Sequence, residues 1–166
     1  MSHFKCIGLI GRLASKNTQY SLQRLITFLS GQQVKLLLDE ETSSLMENME
    51  LEIVSRSSLA KKCDLIIVVG GDGSLLAAAR AFAGFDVKIL GINRGRLGFL
   101  TDISPEEIEH KVGEVLAGHF VAEKRFLLGS EVIRGGKPIA HGIALNDVVI
   151  HPGNRTNPIA SEYRRG

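Results

Sequence analysis

The sequence predicts an α/β protein, with a Rossmann-like parallel sheet covered by helices on both faces and then the start of an incomplete β-rich second domain. Three observations support this fold class. Apolar segments of strand length alternate with segments of helical spacing. Residues 65–69 are five consecutive apolar residues, which is typical of a strand buried on both faces. After about Phe126 a hairpin pattern replaces the alternation.

The predicted strands of the first region cover residues 4–10, 34–38, 65–69 and 87–92. A helix over 20–29 places Leu22, Leu25, Ile26 and Leu29 on one face. A second helix covers 75–83 and stops at Gly84. A third opens at Ser104-Pro105 and ends near Gly118. Residues 39–62 are polar and acidic, then mixed, and predict no more than short helical pieces.

The second region begins with a hairpin, in which 130–134 and 137–140 flank the turn Gly135-Gly136. A further strand is predicted over 143–150. We therefore predict an α/β domain over 1–128, the start of a β-rich domain over 129–153, and a divergent, disordered tail over 154–166 that cannot build a core.

The composition of the 166 residues excludes several kinds of partner. Apolar residues make up 44% and charged residues 23%, as in ordinary globular proteins. A net charge of +2 and 5% aromatic residues argue against nucleic acid and against an anionic membrane. Cys6 and Cys63 fit core thiols in a reducing compartment, and no leader or bilayer-length apolar run is present. We expect a cytoplasmic protein.

The segment Gly70-Gly71-Asp72-Gly73-Ser74, the glycine turn, follows the most apolar strand and opens a helix. Its glycines allow positive φ and close approach of a ligand, and Ser74 is predicted to cap the helix. The positive end of that helix favours phosphate. A carboxylate repels phosphate, so Asp72 is better suited to act as a base or a metal ligand. The alternative, a plain turn at Asp72-Gly73, is less favoured because a helical sequence follows.

A second loop, residues 93–101, follows the strand over 87–92. Ligands of open parallel sheets bind outside the carboxyl ends of the strands, so this loop and the glycine turn can face one ligand. Asn93 is a candidate to orient a sugar or phosphate. Arg94 or Arg96 could neutralise charge, although for either arginine alone a solvated surface position is favoured.

Two adjacent polar residues, Asn146 and Asp147, interrupt the apolar strand predicted over 143–150. Buried without partners they would be costly. They therefore form a tight turn or bind a polar group such as a ribose diol, and both interpretations stay open. The five histidines show no metal-ligand spacing, so no metal site is predicted from protein side chains alone.

Three segments in this order resemble NAD kinase: the glycine turn, 93–101 (Asn-Arg-Gly-Arg-Leu-Gly-Phe-Leu-Thr), and 145–153, which contains Asn146-Asp147. The glycine turn alone is shared with phosphofructokinases and diacylglycerol-type lipid kinases, whereas 93–101 is much more specific. The resemblance covers residues 4 to about 153.

The resemblance implies transfer of the γ-phosphate of ATP to the 2′-hydroxyl of the adenosine ribose of NAD, which gives NADP, with a divalent cation such as Mg²⁺. Asp72 corresponds to the acid thought to activate that hydroxyl. Nucleotide-binding positions would be Gly70, Gly71, Gly73, Ser74, Asn93, Phe99, Asn146 and Asp147. Phe99 would lie near the adenine, and Asn146 and Asp147 would hold NAD. The partners implied are small-molecule nucleotides.

The sequence departs from the family pattern in three ways. Ser74 stands where Thr is commoner, and Asp147 stands where Glu is usual. The family also continues into a β-rich domain with a Thr-Pro-Thr-Gly-Ser-Thr-Ala-Tyr-like segment, which is absent here, and the resemblance stops after Gly153. This suggests truncation or a shifted reading frame.

From these departures we expect the 166 residues alone to be inactive or weakly active. Open strand edges predict self-association. The homo-oligomer implied for full-length members is not extended to this chain. The alternatives are a phosphofructokinase-type or lipid kinase of the same superfamily, or a non-catalytic nucleotide-binding fragment.

Overall fold

The protein is described here from a computed structural model that covers residues 2–12, 16–46, 50–94, 100 and 103–149. The chain divides into two compact units, Met1–Arg125 and Phe126–Gly166. Within the described residues, no helix has the length and apolar character needed to cross a membrane.

The first unit is built on a five-stranded parallel sheet. Its elements are β1 (Cys6–Gly11), α1 (Lys16–Ser30), β2 (Lys35–Asp39), α2 (Glu40–Ser43), β3 (Glu52–Val54), α3 (Arg56–Lys62), β4 (Leu65–Gly70), α4 (Asp72–Ala81), β5 (Lys88–Asn93), a 3-10 turn (Pro105–Glu107) and α5 (Ile108–Leu116). The strand order is β3-β2-β1-β4-β5. The order therefore reverses between β1 and β4, as in Rossmann-like folds.

Strand β4 separates two hydrophobic cores. Leu65, Ile67 and Val69 pack in the core formed with α1 and α5. Ile66 and Val68 face the opposite core, which α3 and α4 complete. All five side chains are at most 2% exposed. This confirms the prediction of a parallel sheet covered by helices on both faces.

The second unit contains an antiparallel hairpin of β6 (Leu128–Arg134) and β7 (Lys137–Ala144). Gly135 and Gly136 form its turn with φ of +58° and +75°, which glycine tolerates best. The predicted further strand over 143–150 is wrong in its described part, because residues 143–144 belong to β7 and 145–149 form no strand. The end of β7 pairs with the first residue of β6, so β6 offers no partner beyond it.

Two predictions in the first unit also need correction. Strand β3 was not expected, because three residues with two apolar side chains are too short for a periodic signal. Helix α4 begins at Asp72, not at residue 75, because the backbone N–H of Ser74 already donates to the Gly71 carbonyl oxygen at 2.9 Å. Ser74 therefore lies inside the helix, and the prediction that it caps the helix is wrong. Gly71 is the N-cap residue.

Candidate active site

The glycine turn joins the end of β4 to the start of α4. Gly71 is extended, with φ −99° and ψ −174°, and receives no side-chain cap. Among the described residues, the glycines with positive φ are Gly84, Gly118, Gly135 and Gly136. The expectation that the glycine turn uses positive φ is therefore wrong, since this helix starts directly from an extended residue.

The glycines of the turn serve two different purposes. A Cβ on Gly70 would lie 2.5 Å from the Oγ of Ser74, so Gly70 is required for close packing of the turn. A Cβ on Gly71 or Gly73 would meet nothing within 4 Å. These two positions leave bare backbone at the helix N-terminus, where a phosphate group can approach closely.

The side chain of Asp72 is partly buried in the first turn of α4. Its Oδ1 accepts a hydrogen bond from the backbone N–H of Leu100 at 3.2 Å. The loop after β5 thus returns to the glycine turn. This contact places the carboxylate at the carboxyl edge of the sheet, where the sequence predicted a ligand site.

Asn93, the last residue of β5, lies beside the glycine turn because it pairs with Gly70 in the parallel ladder. It is 9% exposed, and its backbone N–H donates to the carbonyl oxygen of Ile103 at 2.8 Å. The next backbone N–H, that of Arg94, donates to the Gly70 carbonyl oxygen at 2.9 Å. The structure therefore brings Asn93 and the residues of the glycine turn together in the first unit.

The structure describes one of the two candidate arginines of this loop, Arg94. The Nε of Arg94 donates to the Oγ of Ser21 on α1, so this guanidinium holds the loop against a helix. Arg96 and Phe99 lie outside the described residues, and their predicted roles stay predictions.

Asn146 and Asp147 belong to the second unit. Both are exposed and follow β7 without forming part of a strand. The premise that they interrupt an apolar strand is therefore wrong. Their roles in binding a nucleotide stay predictions.

A cleft of about 530 Å³ lies at the carboxyl edge of the sheet, between the end of β1 and the start of α4, and sequence reasoning missed it. We call it the switch-point cleft, because strand order reverses there and open α/β sheets bind ligands at such points. Its lining residues are Ile10, Gly11, Arg12, Glu41, Arg56, Gly73, Ser74, Ala77 and Ala78. The glycine turn therefore forms one wall of the cleft.

A buried polar network supports the opposite wall. Asp39, at the end of β2, is 1% exposed. Its Oδ2 accepts from the Oγ1 of Thr42 at 3.1 Å, and its Oδ1 accepts from the Nε of Arg56 at 3.3 Å. Thr42 Oγ1 in turn accepts from the backbone N–H of Gly11 at 3.0 Å. The network thus fixes the end of β1 and pairs the buried carboxylate of Asp39.

Within the described part of the chain, no group of three or more His, Cys, Asp and Glu side chains could hold a metal ion. Asp72 is the carboxylate carried by the glycine turn itself.

Comparison with known families decides between the interpretations of this site. Residues 7–120 match the family described as ATP-NAD kinase N-terminal domain. The chain belongs to the NAD kinase family. This assignment favours the NAD kinase interpretation over a phosphofructokinase-type or lipid kinase.

Curated NAD kinases show high identity to the chain. The chain is 69% identical to the NAD kinase of Saccharophagus degradans over 153 residues, which is 92% of this chain and 52% of the relative. It is 63% identical to the NAD kinase of Teredinibacter turnerae over 162 residues, which is 98% of this chain and 55% of the relative. The chain thus spans about half the length of these NAD kinases.

The second alignment corrects one expectation. Because it covers 98% of the chain, it extends beyond Gly153. The expectation that the resemblance to NAD kinases stops there is therefore wrong. The segment carries no recognisable motif, so its similarity is visible only by alignment with a close relative.

Solved NAD kinase structures share the fold. The crystal structure of yeast NADH kinase complexed with NADH matches 86% of this chain and 47% of that chain, with a TM-score of 0.74 at 18% identity. The crystal structure of the NAD kinase from Archaeoglobus fulgidus in complex with ATP matches 80% of this chain and 45% of that chain, with a TM-score of 0.54 at 24% identity.

Proposed function

We propose that this chain carries the phosphoryl-transfer site of an NAD kinase, which transfers the γ-phosphate of ATP to the 2′-hydroxyl of the adenosine ribose of NAD. The observation that carries the proposal is the position of Asp72. Its carboxylate is held by the Leu100 N–H between two glycines with open space around them. An acid placed beside bare backbone at a helix N-terminus combines a proton acceptor with a phosphate path.

The chemistry of the reaction fits these residues. Phosphoryl transfer depends on placing the acceptor hydroxyl in line with the phosphate and on neutralising charge. Asp72 would accept the proton of the ribose hydroxyl as it attacks. The open backbone of Gly71 and Gly73 would bind the phosphates of the donor, with Gly70 and Ser74 shaping the turn. The positive end of the α4 dipole would favour their negative charge.

A divalent cation, Mg²⁺, is part of this proposal. Mg²⁺ binds through one or two carboxylates together with substrate phosphates, and it does not need an all-protein cage. The single carboxylate of the glycine turn, Asp72, fits this mode of binding. The cation would neutralise charge on the donor phosphates.

Four further residues are proposed to contact NAD: Asn93, Phe99, Asn146 and Asp147. Asn93, which is adjacent to Gly70, would orient a ribose or phosphate group. Phe99 would pack near the adenine. Asn146 and Asp147 would hold the nucleotide, and their exposure in the second unit leaves their polar groups accessible. The shorter side chain of Asp147, compared with the usual Glu, would weaken one ribose contact.

The proposal also assigns a role to each predicted domain, the partners and the cellular compartment. Residues 1–128 would form the nucleotide-binding domain and 129–153 the start of the NAD-binding domain. Small-molecule nucleotides are the proposed partners, without nucleic acid or membrane. We also propose a reducing compartment, the cytoplasm, because Cys63 is buried and Cys6 is partly buried, as is typical of core thiols.

The experiment that tests the proposal is a replacement in a longer relative. In the S. degradans NAD kinase, the aligned 153-residue segment is exchanged for the corresponding residues of this chain. The purified chimera is supplied with ATP, Mg²⁺ and either NAD or fructose 6-phosphate, and products are identified by mass spectrometry. We expect NADP from NAD and no fructose bisphosphate. A chimera that folds with an unchanged circular dichroism spectrum but forms no NADP would contradict the proposal.

A further inference from the structure

We infer that Arg12 binds the polyphosphate chain of the donor nucleotide in the switch-point cleft. This inference rests on the proposed function, because it names the residue that compensates donor charge at the same site. The sequence suggested Arg94 or Arg96 for this role. The structure points instead to an arginine from the other side of the glycine turn.

The backbone places Arg12 against the glycine turn. Arg12 directly follows β1, and its N–H donates to the carbonyl oxygen of Val69 at 3.1 Å. The Cβ of Arg12 lies 3.5 Å from the position that a Cβ on Gly70 would occupy. Arg12 and Gly73 line the same cleft. An anion bound at the open backbone of Gly73 would therefore lie within reach of this guanidinium.

The balance of charge in the cleft singles out Arg12. Arg56 is paired with two carboxylates, through Nη2 to Glu41 Oε2 at 2.5 Å and through Nε to Asp39 Oδ1 at 3.3 Å. Arg12 makes no side-chain hydrogen bond or ion pair with another residue of the described ranges. Its charge is thus available to a ligand, whereas the charge of Glu41 is already compensated.

The buried network keeps the base of Arg12 in a fixed position. Gly11 is the residue before Arg12, and its backbone N–H donates to the Oγ1 of the fully buried Thr42. The same Oγ1 donates to the Oδ2 of Asp39. A Cβ on Gly11 would lie 2.4 Å from Leu22 Cδ1, so the chain is tightly packed at this point. Because this backbone is already fixed, anion binding would order the Arg12 side chain and not the backbone that carries it.

The ligand that suits this cleft is a polyphosphate. An arginine forms strong charge-assisted hydrogen bonds with phosphate oxygens, and a helix N-terminus on the facing wall adds to the attraction. A cleft of about 530 Å³ has the size of an ordinary small-molecule site. A nucleoside triphosphate and inorganic tripolyphosphate share this chemistry, and the experiment separates them.

The test measures binding to the 166-residue chain by isothermal titration calorimetry with ATP, inorganic tripolyphosphate and AMP, each with Mg²⁺. The variants are Arg12→Gln and Arg12→Lys. The matched control is Arg80→Gln, because Arg80 is an exposed arginine of α4 that does not line the cleft. We expect Arg12→Gln to weaken binding of ATP by about 10- to 100-fold and to weaken binding of AMP far less. Arg12→Lys should restore part of the ATP affinity. Arg80→Gln should bind ATP as tightly as the unmodified chain.

Each other outcome overturns the inference. Equal ATP affinity of Arg12→Gln and the unmodified chain would show that Arg12 does not touch the phosphates. Absence of measurable ATP binding by the unmodified chain would show that the cleft is no donor site in this chain. Tripolyphosphate binding that depends on Arg12, without ATP binding, would assign the cleft to an inorganic donor. NADP formation by the chimera is measured independently, so these results leave the proposed function to its own test.

Discussion

The Oδ1 atom of Asp72 and the backbone N–H of Leu100 form a 3.2 Å hydrogen bond between residues 28 positions apart. The bond joins the loop after β5 to the first turn of α4. A carboxylate that must meet a substrate hydroxyl works best when its position is fixed by neighbouring groups. This contact links the two segments that the sequence placed at the same edge of the sheet.

The two kinds of glycine in the turn predict opposite effects of alanine. Gly70→Ala should lower the free energy of unfolding by about 1–3 kcal/mol, because the new Cβ would overlap Ser74. Gly73→Ala should leave stability unchanged or raise it by about 0.4–1 kcal/mol, because Gly73 lies in a helix with open space around it. The same substitution should weaken ATP binding. Urea denaturation and calorimetry measure the two effects.

The control for this comparison is Gly129→Ala, a position in β6 that also has nothing within 4 Å of an added Cβ. It should leave ATP affinity unchanged. If Gly73→Ala binds ATP as tightly as the unmodified chain, the open backbone at Gly73 is not the phosphate path.

Asn146→Ala in the chimera should raise the KM for NAD by about tenfold, the size expected for one lost hydrogen bond to a substrate. The thermal midpoint should stay within a degree or so, because Asn146 is exposed and belongs to no strand. Steady-state kinetics and thermal denaturation provide the two readings. Glu131→Ala, an exposed position in β6, is the control. A lowered thermal midpoint with unchanged KM would assign Asn146 to a structural turn instead.

The ion pairs at the edge of the sheet predict a pH dependence. Hydrogen bonds from Lys35 and then Lys62 lower the pKa of Glu52 to about 2. In the unfolded chain the pKa of a glutamate is near 4.3. The ion pairs of Glu52 therefore stabilise the folded state fully above that pH, and this stabilisation is lost as the pH falls towards 2. All three side chains are exposed, and the effect is expected to be small and to weaken with salt.

Glu52→Gln tests this pH dependence. The variant should have a lower thermal midpoint than the unmodified chain at pH 7, and the difference should shrink as the pH approaches 2. A difference that stays constant across this range would mean that packing, and not charge, is responsible.

Local patterns predicted those parts of the fold that depend on nearby residues. Strand β4 was identified because its five apolar residues must be buried on both faces. The helix after the glycine turn ends at Ala81, two residues before the predicted end, and Gly84 follows it with φ of +85°. Strand β3 was missed, because its position depends on pairing with β2 and not on its own short sequence. The start of α4 was misplaced because glycine is a poor helix former, and tertiary packing overrides that preference here.

The candidate site was predicted only in part for a similar reason. The glycine turn and Asn93 are recognisable as motifs, and parallel pairing of β4 with β5 brings them together. The switch-point cleft combines Arg12 with Arg56 from α3, which are distant in sequence and carry no motif. The adjacency of β2 and β1 in the sheet brings the two arginines to one place, and the pairing of β1 with β4 adds the glycine turn. This strand order is not written in any single segment.

The most direct test of the account is the turnover number of Asp72→Asn in the chimera, beside the unmodified chimera and an Asp86→Asn control. Asp86 is exposed and lies outside the glycine turn. Asparagine keeps the shape of residue 72 and removes its charge, so kcat for NADP formation should fall by about 100-fold or more while the thermal midpoint stays nearly unchanged. Asp86→Asn should keep normal turnover. A near-normal kcat for Asp72→Asn would contradict the role of Asp72 in phosphoryl transfer.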